Sequence, residues 1–356
     1  MKSSSPAKIP PLFHLLFPPA RPRSERERTR LFARRFAAAF TVFLAGALLV
    51  NSISSAPQTA PETRVEPPKI AARPIMAQPI AANAPAISGE APAPIFKVAD
   101  GNLNEISGFA ASRSYPGFWW AHNDSGDTAR LFLLSSEGKT VATVNLEGVE
   151  ARDWEDMAAA GGYLYVADIG DNFRVMENVQ IHRIWEPKID TKKLGQQISL
   201  SNSTVETAKI AYPDGARDAE TFAVAPDGTF LIVSKNLGGS NFYLSQTPFR
   251  RGAVALKKIG GPFVFGGQSV FSKMATAGDL SRDGKKLAVT TYTQLYEFAL
   301  GVPFDLASIQ LKTPKIQNLP TLQQCESAAY DLSSAKVVVS SEKKNPPVYA
   351  LDSGWK

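Results

Sequence analysis

Carboxylates recur along this sequence at intervals that suggest one shared site. Five segments begin with an acid followed by small and apolar residues: Glu105-Ile106-Ser107-Gly108-Phe109, Glu155-Asp156-Met157-Ala158, Glu220-Thr221-Phe222-Ala223-Val224, Asp279-Leu280-Ser281 and Glu326-Ser327-Ala328-Ala329-Tyr330. Two of the acids close copies of A-R-D-x-E, Ala151-Arg152-Asp153-Trp154-Glu155 and Ala216-Arg217-Asp218-Ala219-Glu220. Two more acidic stretches, His122-Asn123-Asp124-Ser125-Gly126-Asp127 and Asp168-Ile169-Gly170-Asp171-Asn172, read as loops. Carboxylates gathered with asparagine carbonyls supply the hard oxygen ligands that Ca2+ takes in sets of six to eight. Glu105, Glu155, Asp168, Glu220, Asp279 and Glu326 are the candidate ligands. Asn123, Asp124, Asp127, Arg152, Asp153, Asp171, Asn172, Arg217 and Asp218 would form a rim around them. The alternative is that Arg152 and Arg217 pair with the acids while the glutamates bond amides of neighbouring repeats, locking repeat to repeat. Neither Asp-rich loop matches an EF-hand, because Asp124 to Asp127 is too short and lacks a closing glutamate.

Other catalytic chemistry is thin. Of three histidines, His14 lies in a basic leader and His182 in the middle of a strand pattern, which leaves His122 as the candidate for proton transfer. There is no G-x-S-x-G elbow, no H-E-x-x-H and no P-loop. Cys325, the single cysteine, rules out an intramolecular disulfide framework and reads as a small core residue.

The elements that must position these acids are strands. The segment starts are 50, 65, 59 and 47 residues apart, a period suited to four-stranded units. Each start is followed by a turn, with Pro226-Asp227-Gly228 and Arg282-Asp283-Gly284 the clearest hairpin signals. Second strands then read as Phe118 to Ala121, Tyr163 to Ala167, Phe230 to Ser234, Lys286 to Thr290 and Lys336 to Ser340. Third strands recur at 130–134, 180–184, 242–244, 294–298 and 348–351. Repeated four-stranded antiparallel units predict an all-β fold, a β-propeller of five blades. The last unit shows three strands and the first is preceded by a spare one, Ile95 to Val98, so closure of the ring by that N-terminal strand is expected. The two longer spacings leave room for extra strands near Gln180 to Tyr212 and Gly261 to Met274, hence for a sixth blade, and a two-sheet sandwich is the competing all-β reading. In a propeller the start of the first strand and the end of the second share a face, so the acidic motifs converge on one rim with the five repeat acids at the channel mouth.

Charge divides the chain. Of the net +6, residues 1–35 carry +7, from nine Lys or Arg against Glu25 and Glu27, and everything after sums to −1. The basic block abuts an apolar run, Phe36 to Val50, then Ser54-Ser55-Ala56, a small-x-small pattern suited to signal peptidase. As a helix the run spans about 22 Å, short of the roughly 30 Å hydrocarbon core. Residues 1–56 are therefore expected to be a signal peptide or an uncleaved signal anchor, with the arginines cytoplasmic and the rest exported to the periplasm or the outer face of the inner membrane. Residues 57–94, rich in Ala and Pro, read as an extended linker, and 95–356 as the propeller. With the basic charge confined to the leader, nucleic acid is not the expected partner, and the membrane is met only through the N-terminal segment.

Together, Asn123-Asp124-Ser125-Gly126-Asp127, Arg152-Asp153-Trp154-Glu155-Asp156 and Asp168-Ile169-Gly170-Asp171-Asn172 resemble motifs of a largely uncharacterised family of exported bacterial β-propellers, of the TolB-like and WD40-like kinds. The resemblance covers about Asn104 to Leu351 and implies a propeller fold and an extracytoplasmic location, without an assigned activity. More distantly the chain is similar to calcium-dependent lactonase propellers of the gluconolactonase type, from which it departs by placing an acid in every repeat. Three functions follow as expectations. The first is a binding or scaffold module for a protein, peptide or glycan of the cell envelope. The second is a metal-dependent hydrolase or lactonase with axial Ca2+ as Lewis acid and His122 or a rim carboxylate as base. The third is a structural spacer whose acids only lock blades.

Overall fold

The computed structural model describes residues 92–267, 269–301, 308–309 and 312–355. The expected leader, apolar run and nearly all of the linker lie outside the described residues. Among the described residues no helix is long and apolar enough to cross a membrane.

After a short strand β1 (Phe96–Lys97), the chain builds five four-stranded antiparallel units. The first holds β2 (Ile106–Ala111), β3 (Trp119–Asn123), β4 (Arg130–Leu134) and β5 (Thr140–Leu146). The second holds β6 (Trp154–Ala160), β7 (Tyr163–Asp168) and β8 (Val179–Trp185); β9 (Gln196–Leu200) then turns aside before β10 (Glu206–Ala211) completes the unit. The third runs from β11 (Ala219–Val224) through β12 (Phe230–Ser234) and β13 (Ser240–Ser245) to the long β14 (Gly252–Phe263). The fourth comprises β15 (Ala275–Leu280), β16 (Lys286–Thr291), β17 (Gln294–Ala299) and β18 (Lys315–Asn318). The fifth has β19 (Cys325–Tyr330), β20 (Lys336–Ser341) and β21 (Pro347–Asp352), and takes its outer strand from the other end of the chain, where Phe96 pairs with Val348 in β1.

The innermost strands β2, β6, β11, β15 and β19 each pack against the next, and β19 returns to β2, so the units close into a β-propeller. These strands are buried almost throughout and rich in Ala, Ser and Gly. Strands converging on an axis have no room for large side chains on the channel side. Gly278 shows the crowding, since a Cβ there would stand 2.5 Å from the Ala288 carbonyl oxygen and 2.8 Å from Thr221 Cγ2. Outer strands instead alternate exposed residues with half-buried ones in β9 and with buried ones along part of β14, the period of a sheet with one wet face. Between blades the core is aliphatic and aromatic, for example Tyr165, Ile181, Ile210, Phe222 and Phe230.

The long interval between the second and third repeats is explained by β9, which pairs parallel to β5 as a fifth strand on the first blade. At the other long interval, residues 264–267 and 269–274 hold one short 3-10 turn and no strand. The space left for a sixth blade is taken, among the described residues, by these two features. Parallel pairing of β10 with β14 also joins the outer edges of the second and third blades.

Candidate functional site

Every innermost strand carries a β-bulge near its start, where the ladder to the second strand skips one residue. The skipped residues are Ser107, Glu155, Glu220, Thr276 and Glu326. A bulge leaves its residue unpaired and turns it out of the regular pleat. Three bulge residues are glutamates, and this register corrects the expected ring of five. Glu105 lies two residues before its bulge, half-buried at the rim, where its carboxyl is pushed up by burial against the pull of Lys343. Asp279 lies three residues past its bulge, about 10 Å along the strand at some 3.3 Å per residue. Its carboxylate accepts from the Tyr330 amide at 2.9 Å and the Leu280 amide at 2.8 Å, and burial pushes its pKa up to about 6. Asp279 thus ties the fourth blade to the fifth. Asp156 does more of the same work: its Oδ2 accepts from Phe222 at 2.9 Å and Gly278 at 3.1 Å, linking three innermost strands at the axis. Locking of blades through backbone amides is the work of Asp156 and Asp279, whereas the bulge residue Glu326 reaches the neighbouring blade through the Tyr292 hydroxyl.

Opposite each bulge stands a residue just past the second strand, one position beyond it in four blades and two in the second. Asp124, Gly170, Lys235 and Glu342 donate their amides to the carbonyls of Glu105, Asp153, Asp218 and Gln324 at 2.8, 3.2, 2.9 and 3.1 Å, and Tyr292 follows β16 in the fourth blade. These five converge with the bulge residues on the mouth. In the third blade the Lys235 ammonium pairs with Glu220 Oε1. Lys235 is only 16% exposed, and although burial opposes its charge, Glu220, Tyr292 and Glu326 hold its pKa well above the ordinary value. Glu220 is nevertheless pushed well up by burial, and its second oxygen, Oε2, is buried without a hydrogen-bond partner. In the fifth blade Glu326 Oε1 accepts from the Tyr292 hydroxyl at 2.9 Å and from Gln324 Nε2 at 3.1 Å. Burial works against the Glu326 charge, but hydrogen bonds from Glu342, Gln324 and Tyr292, with the Lys235 charge, hold it below the usual carboxylate range. Glu342 pays the complementary cost and is pushed up to about 10 by burial and by Glu326, so the pair shares one proton.

The first and second blades present a different arrangement. One carboxylate oxygen each from Asp124, Asp153 and Glu155 lie within 4.8 Å of one another. Burial pushes Asp124 and Glu155 well above the ordinary range. After burial the strongest influences on Glu155 are Asp124, Glu220, Asp153 and Asp218, all of them carboxyls that raise it further. The space is made by Gly170, where a Cβ would overlap Glu155 Oε1 and stand 2.6 Å from Asp153 Oδ2. Two oxygens that are each about 2.4 Å from one calcium ion can be no more than about 4.8 Å apart. The Asp124, Asp153 and Glu155 oxygens lie within that upper limit. The trio takes Glu155 from the expected ligands and Asp124 and Asp153 from the expected rim.

The remaining expected residues have other duties. Asp168 binds Arg152 Nε at 2.8 Å and accepts from the Asp153 amide at 2.9 Å. Burial opposes the Asp168 charge, but the nearby His182 ring and the bonded Arg152 guanidinium outweigh it and keep the carboxyl low, so it orients the Arg152-Asp153 turn. Arg217 bonds Asp214 at 3.1 Å and the Tyr243 hydroxyl at 3.1 Å, not the mouth acids. Asp218 accepts from the Asp171 amide at 3.1 Å, and Asp171 in turn accepts from Met176 at 2.8 Å. Asn123 is consumed by the Glu105 amide, the Asn102 carbonyl and Asp127, and Asp127 also holds Arg130 at 2.9 Å. Asn172 is exposed. His122 corrects a further expectation. It is fully buried beside Trp154, with Nδ1 2.9 Å from the Asn123 carbonyl oxygen, and burial lowers its pKa, so the ring is a neutral core group. Sequence reasoning missed Lys235, Tyr292 and Glu342; their signal was position, one residue past the second strand of each repeat.

No family model matches the sequence, and no curated protein matches it. Among solved structures, the chain is similar to hydrazine synthase of Kuenenia stuttgartiensis, with a TM-score of 0.36 and 10% identity over 77% of this chain and 99% of that one. It is also similar to Sqt1 from Chaetomium thermophilum, with a TM-score of 0.33 and 14% identity over 70% of this chain and 59% of that one.

Proposed function

We propose that this chain is an exported β-propeller binding module whose mouth is organised by one calcium ion held between Asp124, Asp153 and Glu155. The observation that carries the reading is the grouping of three carboxylates within 4.8 Å, two of which, Asp124 and Glu155, are pushed well up by burial and like charge. A divalent cation relieves that opposition, and the unpartnered Glu220 Oε2 is a further oxygen in the same neighbourhood. Binding is preferred to hydrolysis because His122, one of the two kinds of base expected, is fully buried against Trp154 and out of reach of a substrate. Export is supported by the sequence alone, through the +7 leader and the apolar run behind it. An acidic mouth favours cationic or neutral partners in the cell envelope, a protein, peptide or glycan, over nucleic acid.

The experiment is a thermal melt of the exported protein with calcium and with chelator, together with elemental analysis. One calcium per chain and a melting temperature that rises with calcium are expected. Asp153→Asn with Glu155→Gln should abolish both while the chain stays folded by circular dichroism. Identical melts with and without chelator, and no metal in the purified protein, would sink the calcium reading.

A further inference from the structure

The mouth face carries a second feature that the acids do not explain. Eight large apolar side chains are exposed among the described residues, and five of them, Phe173, Val175, Val264, Val270 and Phe271, sit on connections at the mouth end of the blades. Phe173 and Val175 are 67% and 74% exposed. Their loop is anchored to the site itself, since Gly170 packs against Asp153 and Glu155 and the Asp171 amide binds Asp218. Between them Arg174 adopts φ +54°, uncommon for a residue with a side chain. Phe271 is 57% exposed and stands edge-on to Tyr292 at 5.9 Å between ring centroids, and the Tyr292 hydroxyl binds Glu326. Two apolar groups thus border the acidic mouth, one on the second blade and one on the connection from the third blade to the fourth.

We infer that this face docks an extended protein segment presenting a Lys or Arg side chain between apolar residues. The inference rests on reading the chain as a binding module and names the chemistry of its partner. Beside the trio the mouth gathers Asp218, Glu220, Glu326 and Glu105 around Lys235, with Lys343 and Arg174 nearby, an excess of acidic groups whose charged forms an entering cation would favour. Apolar side chains that flank it supply the desolvated contacts that give such a segment affinity. Charge decides against the other occupants. An anionic lipid surface is repelled by the mouth, and a second copy of this chain would bring an equal acidic mouth against it.

The test selects a phage-displayed library of random dodecapeptides on the calcium-loaded protein. Enriched peptides should carry Lys or Arg with Leu, Ile, Val or Phe within two positions, and changing that basic residue to Glu should weaken binding at least tenfold. Phe173→Ser with Phe271→Ser should weaken it equally, with the melting temperature and its calcium shift unchanged. No enrichment, enrichment without this pattern, or binding that survives the double substitution overturns the inference. So does a double substitution that turns a dimer into a monomer in sedimentation, or that abolishes binding to vesicles of anionic phospholipid. A chain that selects the peptides but shows no calcium shift retains this inference and loses the calcium one; a calcium shift without peptide selection does the reverse.

Discussion

The two sides of the propeller mouth are built at the same bulge positions from the same residue type, yet they neutralise their glutamates differently. In the third and fifth blades the residue opposite the bulge is Lys235 or Glu342, and charge is settled internally by an ammonium ion or by a shared proton. In the second blade that residue is Gly170, which supplies nothing and instead vacates the space in which Asp124, Asp153 and Glu155 gather. One side is a closed electrostatic unit and the other is an open one. The difference teaches that an acid repeated through a propeller is not one device repeated: what the facing strand ends with decides whether its carboxyl meets a cation, a shared proton or other carboxyls.

The largest effect should come from breaking the closed side. Lys235→Met leaves Glu220 buried beside Glu326 with its counter-ion gone, and loss of one partner of a buried pair costs about 3–5 kcal/mol. Glu155→Gln on the open side removes one of three repelling carboxyls, so in chelator it should leave stability unchanged or raise it by about 1 kcal/mol. Urea unfolding of both variants in chelator reads the contrast directly. Equal losses in the two would show that Glu155 is braced like Glu220 and that the comparison is false.

A smaller effect should follow from making the second blade resemble its neighbours. Gly170→Ala places a methyl group on Glu155 Oε1 and against Asp153, so the carboxylates must part. Overpacking of this kind costs about 1–3 kcal/mol, and calcium affinity by titration calorimetry should fall at least tenfold. Asn172→Ala, two residues along the same loop and exposed, should change neither quantity. Calcium binding that tolerates Gly170→Ala would place the ion elsewhere.

Most of the architecture was legible because blade strands announce themselves through β-branched and aromatic runs, and closure through a spare strand at Phe96. The acids were legible only as a set. Aligned by the first acid of each repeat, blade one is read two residues early and blade four three residues late, since Ser107 and Thr276 hold the bulges there. A bulge is a backbone event with no fixed side-chain signature, so composition cannot locate it. Lys235, Tyr292 and Glu342 were hidden for a related reason: three unlike residues share a site because of their place after the second strand. His122 misled because Asp124, two residues on, does reach the mouth, while β3 is buried throughout and the histidine ring packs against Trp154 of the next blade.

The pH profile separates the two sides by the smallest effect, and its sign follows from proton counts. Asp124, Glu155, Glu220 and Glu342 titrate well above their ordinary values in the folded protein, Glu342 at about 10, and near ordinary carboxylate values when unfolded. Between those limits the folded state holds more protons, so stability in chelator is greatest near the unfolded pKa values and falls as pH rises. Glu326 and Asp168, held low, act oppositely and lose their contribution only as pH drops toward about 4 and below. Melting temperature in chelator should therefore decline from pH 5 to pH 9, each kcal/mol moving it by about 2–4 °C in a domain of this size. If calcium binds the ionised trio as proposed, the gap between calcium and chelator melts should widen with pH. Glu342→Gln should flatten part of the decline in chelator while leaving the widening intact, because its proton belongs to the closed side; a gap that is constant from pH 5 to pH 9 would mean that calcium does not bind where protons are being lost.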